Sequence, residues 1–164
     1  MTDAQQWLDK IYPTKERKGI ERIGRNGEGL LRIFSNIPRD LTGKFTNFEE
    51  FIDLTELYLP FIKISIKSIK SFPNSLERLQ LAANSFPEST LTPSSHLINL
   101  KWLDIGLINC NKVGEHNQWI GTLKPPKNLT KLEWLCLGTT DVNGGIEYLL
   151  LISVVKVMIL IKNV

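Results

Sequence analysis

Four segments of this chain share one spacing of apolar residues, L-x-x-L-x-L. They are Leu54-Leu57-Leu59, Leu76-Leu79-Leu81, Leu100-Leu103-Ile105 and Leu132-Leu135-Leu137. A helix keeps one face apolar with spacings of three and four, and a half-buried strand with spacings of two. Three followed by two fits neither alone. It fits a short strand whose first, fourth and sixth positions turn inward, followed by a turn and a returning segment. One such unit cannot bury its own apolar side, so the copies must stack on one another around a shared core.

The units begin at Leu54, Leu76, Leu100 and Leu132, which are 22, 24 and 32 residues apart. The long last interval requires an insertion, and residues 111–126 (NKVGEHNQWIGTLKPP) are polar and Gly- and Pro-bearing, as an outward loop would be. A fifth copy follows. Aligning Ser153 with Ser75 puts Val154, Val157 and Ile159 on the inward positions, 22 residues after Leu132. The same residues belong to LLLISVVKVMILI, 149–161, which could also be read as a membrane anchor. As a helix, those 13 residues would span about 20 Å, against a hydrocarbon core of about 30 Å. Lys156 would cost roughly 2.5–3.5 kcal/mol there, so a strand near 154–159 is the expectation and no membrane partner is called for. With no polar unit after it, that strand is expected either to mark a shortened chain or to associate with another chain.

The spacing resembles that of leucine-rich-repeat proteins, whose short strands line the inner side of a curved solenoid. The opening AQQWLDKIYP, with its W-L-D-K-x-Y-P run from Trp7 to Pro13, and the segment 128–149 also resemble a large class of fungal leucine-rich-repeat proteins. The resemblance implies an α/β solenoid with a short curved parallel sheet, an irregular convex side and an N-terminal helical cap. Residues 1–24 are then the cap, with Asp3 capping its first helix and Trp7, Leu8, Ile11, Ile20 and Ile23 forming its apolar stripe. Residues 25–164 are the solenoid, with strands near 54–59, 76–81, 100–105, 132–137 and 154–159. The asparagine that such repeats carry three residues after the last leucine stands only at Asn84; Ile62, Ile108 and Thr140 replace it elsewhere, so water or nearby hydroxyls are expected to serve the backbone there. Residues 30–37 and 41–51 fit no clean copy.

Charge and chemistry narrow the function. A net charge of +3 over 164 residues, with Lys and Arg dispersed, gives no nucleic-acid footprint. The densest basic run, Lys15 to Lys18, reads as a solvated helix end. Cys110 and Cys136 sit in no metal or redox spacing, and the first residues lack an apolar signal segment, which points to free thiols and a cytoplasmic protein. GRNGEG, 24–29, lacks the spacing of a phosphate loop. Cys110, His116, His96 and Cys136 make no recognisable metal or nucleophile set, so no cofactor and no catalytic residue are expected. The chain also has no glycine-rich ATP loop, H-R-D or D-F-G stretch, although some relatives of this class carry a kinase domain.

The expected activity is therefore binding. In the repeat register, position three carries Glu56, Arg78, Trp102, Trp134 and Lys156, and position five carries Tyr58, Gln80, Asp104, Cys136 and Met158. Parallel strands lie about 4.8 Å apart, so equal positions form rows on the concave side. Trp, Tyr and Arg dominate interface energetics. A protein or peptide partner on Glu56, Tyr58, Arg78, Gln80, Trp102, Asp104, Trp134 and Cys136 is the expectation. The alternatives are a substrate-recognition or regulatory part of a larger enzyme assembly, or a shortened chain with no function of its own.

Overall fold

The structure is a computed structural model. It describes residues 1–24, 37, 38, 40–106, 117–122, 124, 128–138, 140–145 and 147, and the strand at 156–158. Cys110, His116, Val154, Ile159 and the glycine-rich stretch beyond Gly24 lie outside the described residues.

The inward leucines organise the molecule. The first, fourth and sixth positions of all four clean units are buried, none more than 2% exposed, in one continuous core. Burying each such side chain stabilises the fold by roughly 1.5–3 kcal/mol. Between the inward positions run three-residue strands: β4 (Glu56–Tyr58), β6 (Arg78–Gln80), β7 (Trp102–Asp104) and β9 (Trp134–Cys136). They pair in parallel, and β11 (Lys156–Met158) continues the sheet beyond β9, with Lys156 opposite Trp134. At each entry one carbonyl holds two amides of the next unit. Thr55 O accepts from Glu77 N and Arg78 N at 2.8 and 2.9 Å, Glu77 O from Lys101 N and Trp102 N, and Lys101 O from Glu133 N and Trp134 N.

The same contact reveals a unit that the leucine spacing does not announce. Glu21 O accepts from Thr55 N and Glu56 N at 2.9 and 3.1 Å. Arg22–Gly24 form β2, paired in parallel with β4, so among the described residues the sheet has six strands in the order β2-β4-β6-β7-β9-β11. Residues 22–24 thus belong to the sheet and not to an N-terminal helical segment. Ile20 and Ile23 keep the first spacing of three, but Gly24 and Arg25 follow where the pattern wants a leucine two further on. Gly24 has φ +111°, and a Cβ there would lie 1.8 Å from Tyr58 O, so no larger residue fits.

Asn84 holds the turn after β6. Its Nδ2 donates to Leu59 O and Leu81 O at 2.7 and 2.9 Å, and its Oδ1 accepts from Ile62 N at 3.2 Å. The turn after β7 is held by Asn117, whose Nδ2 donates to Leu81 O and Ile105 O at 2.6 and 3.1 Å and whose Oδ1 accepts from Asn84 N and Phe86 N. Asn84 follows Leu81 by three residues and Asn117 follows Ile105 by twelve, so nine extra residues lie between Ile105 and Asn117. Residues 111–126, expected to loop out together, do not. Asn117 and Trp119 are buried, the Trp119 ring packs edge-on to Phe86 at 5.5 Å, and β8 (Ile120–Thr122) pairs with β10 (Asp141–Gly144) on the returning side. The reason is energetic: Leu81 O, Ile105 O and Asn84 N are buried groups that need partners. At Thr140 a hydroxyl serves instead, donating to Leu137 O at 2.8 Å.

At the N-terminal end, Asp3 caps α1 (Ala4–Ile11) by accepting from Gln6 N at 2.9 Å. Ala4, Trp7 and Leu8 are buried, whereas Ile11 is 43% exposed and outside the apolar stripe expected of it. β1 (Thr2–Asp3), β3 (Leu41–Gly43) and β5 (Lys63–Ile64) make a second, three-stranded parallel sheet beside it. The basic run 15–18 is not simply a solvated end. Arg17 is wholly buried, donating to Tyr12 O and Asn47 O, pairing with Asp9 and Glu50, and standing 5.1 Å above the Phe51 ring. Among the described residues no helix is long and apolar enough to cross a membrane.

Candidate functional site

The register of the sheet aligns the candidate residues in two rows. Arg22, Glu56, Arg78, Trp102 and Trp134 form the first, and Gly24, Tyr58, Gln80, Asp104 and Cys136 the second. Both rows leave the sheet on the side away from the leucine core, because successive strand residues alternate.

The first row carries the accessible chemistry. Trp102 and Trp134 stack face to face, with centroids 4.6 Å apart and planes 5° from parallel, and both remain partly exposed. Each hides one face against the other and keeps part of its surface exposed. Tyr58 lies against the pair, its ring 6.2 Å from Trp102. Beside them Glu56 is held between two guanidiniums: Arg22 stands 3.1 Å from Oε1 and Arg78 3.9 Å from the same atom. The other oxygen, Oε2, accepts from the Tyr58 hydroxyl at 2.9 Å. Arg22 was invisible to a search for L-x-x-L-x-L; the Ile20–Ile23 spacing was the signal that could have found it.

The second row is mostly covered. Tyr58 and Asp104 are buried, at 8% and 6% exposed, Cys136 is fully buried, and only Gln80 is partly open. Cys136, expected on the surface, therefore offers none. Strand alternation decides which side of a sheet a residue leaves, not whether neighbours stand over it. Burial pushes the Tyr58 phenol up to about 12, with Glu56 adding to the shift. Burial also raises the Asp104 carboxyl, although Gln80, Cys136 and the Gly106 amide all donate to it. The Cys136 thiol is pushed up to about 12, first by burial and then by Asp104. A thiol so held stays protonated, the reverse of an activated nucleophile. The amide oxygen of Gln80, Oε1, is buried and has no hydrogen-bond partner among the described residues.

No protein-family model matches the sequence, and no curated protein matches it in sequence. Solved structures do. The leucine-rich-repeat ectodomain of the Arabidopsis receptor kinase HAESA, in complex with an N-terminally extended IDA peptide hormone, is 23% identical, with a TM-score of 0.58 over 76% of this chain. The same receptor with the peptide hormone IDA and the co-receptor SERK1 is 24% identical, with a TM-score of 0.57. This chain spans 20% of the length of either receptor chain. An internalin from Listeria monocytogenes is 17% identical over 76% of this chain and 41% of its own length; its TM-score, 0.47, is too low to carry weight. At these identities the likeness is one of fold, and with the stacked parallel units it makes this chain a leucine-rich-repeat solenoid of the α/β class.

Proposed function

We propose that the chain is a non-enzymatic protein-interaction module that grips a protein or peptide on the concave side of its six-stranded sheet. The observation that carries the reading is the Trp102–Trp134 stack: two large rings set on the solvent side of the sheet, away from the leucine core. Glu56, Arg78 and the partly open Gln80 complete the surface around them, with the buried Tyr58 and Asp104 supporting it from beneath, and α1 serves as the helical cap of the first unit. Aromatic and arginine side chains grouped this way are the anchors that dominate interface energies. The HAESA structures, which contain a peptide hormone, support a partner of the same general class. The buried free thiol of Cys136 is in keeping with a cytoplasmic setting.

The test is selection of displayed peptides on the full chain, followed by rebinding to a Trp102→Ala/Trp134→Ala variant of matched folding. Clones that bind the wild type and lose the variant support the reading. Clones that bind both equally refute the surface.

A further inference from the structure

The row that bears the tryptophans also specifies what stands next to them. Glu56 is fully engaged: one oxygen takes Arg22 at 3.1 Å and the other takes the Tyr58 hydroxyl at 2.9 Å. Arg78, in contrast, is 53% exposed, with its Nε 3.9 Å from Glu56 and one further contact to the Tyr58 hydroxyl. A guanidinium carries five donors in a planar fork that matches a carboxylate, so most of its capacity faces solvent. The charges one position earlier do not supply it, since Glu77 is taken by Lys101 at 2.8 Å.

Arg78 and Trp102 are paired in register on neighbouring strands, with Trp134 one strand further. At about 4.8 Å per strand, the middle of the tryptophan pair lies about 7 Å from Arg78 along the row. Two residues of an extended peptide span nearly the same distance, about 6.7 Å, and leave the backbone on the same side. We infer that the partner of this face is an extended polypeptide segment carrying an acidic side chain two residues away from an aromatic or large aliphatic one, the carboxylate on Arg78 and the apolar group against Trp102 and Trp134.

The inference rests on the proposed binding face, and the experiment separates the two. Acetylated, amidated peptides, free of terminal charges, are arrayed with Asp, Glu, Asn or Lys at one position and Trp, Phe, Leu or Ser one, two or three residues away. The full-length wild type, Arg78→Glu and Trp102→Ala/Trp134→Ala are compared on them. Arg78 is half-exposed and outside the core, but Arg78→Glu sets a carboxylate opposite Glu56, so its melt should fall slightly and stay cooperative. The expected result is a preference for an acid two residues from an apolar group. Arg78→Glu then lowers that binding at least about tenfold, as loss of a charged hydrogen bond does, and turns the preference to Lys with the apolar choice unchanged. Binding that needs the tryptophans but ignores the charge at Arg78 overturns this inference alone. Binding indifferent to the tryptophans, or no binding to any peptide, overturns the face itself.

Discussion

Asn117 holds the turn that precedes its own unit: its Oδ1 accepts from Asn84 N at 3.0 Å while its Nδ2 donates to Leu81 O at 2.6 Å. One side chain thus joins the backbone of two neighbouring turns, and both asparagines are 2% exposed. Removing it leaves two buried amides, Asn84 N and Phe86 N, without their acceptor, each worth roughly 1–3 kcal/mol, while Leu81 O keeps Asn84 Nδ2 and Ile105 O keeps the Trp119 indole.

Asn117→Ala should therefore lower unfolding stability by roughly 3 kcal/mol, measured by urea denaturation. Asn117→Asp should be no better, because a carboxylate cannot donate to Leu81 O or Ile105 O. A loss below about 0.5 kcal/mol, the range of ordinary surface changes, would show that the segment is a dispensable loop.

Arg17 ties α1 to the first turns through Asp9, Glu50, Tyr12 O and Asn47 O, with no exposure of its own. Arg17→Ala should cost about 3 kcal/mol, the low end for breaking a buried ion pair, since Asp9 and Glu50 are 49% and 38% exposed and water can reach them. Arg17→Met, which keeps an apolar stem in the same place but loses the guanidinium above Phe51, should cost less. Equal losses for the two variants would mean that the charge alone matters.

Asp104 gives stability a pH dependence. Its carboxyl is raised by burial in the folded chain, so the folded state keeps a proton that the unfolded chain releases near pH 3.9. Its contribution is most favourable below that value and declines as pH rises through the raised folded value. Asp104→Asn cannot ionise and keeps an acceptor for the Gly106 amide. Its stability relative to the wild type should therefore climb as pH rises above the unfolded value of about 3.9. A difference that stays flat, or falls, would contradict the burial of this group.

Cys136 should be inert. With its thiol pushed up to about 12 and the residue fully buried, a Cys110→Ser variant should give almost no reaction with a disulfide reagent at about pH 8 while folded. It should give one equivalent when unfolded. Rapid labelling of the folded variant would place Cys136 at the surface.

The parts of this fold that could be read in advance are those where burial imposes a period. Leu79, Leu103 and Leu135 recur because every unit must fill the same slot in one core, and equal positions share a row because the strands are parallel. The nearness of Trp102 to Trp134 followed from that alone. Other features depend on groups that carry no period. Asn117 is displaced by nine residues from where its bonds are made, so no window centred on Leu100 contains it. β2 hides because Arg25 stands in the sequence at the sixth position, where the other units carry a leucine or isoleucine. Arg17 sits within a charged run, and nothing in K-E-R-K says that one of its members turns inward to meet Asp9 and Glu50. For the site, the row of Glu56, Arg78, Trp102 and Trp134 was legible; the covering of Cys136 and Asp104 was not, since it arises from neighbours across the row.

The most direct measurement is calorimetric titration of one selected peptide into the wild type and into Trp102→Ala/Trp134→Ala, with thermal melts alongside. Loss of two stacked aromatic anchors should weaken binding by about a hundredfold, roughly 2.7 kcal/mol, while the melt stays cooperative. Affinities within about twofold of one another would contradict the binding face.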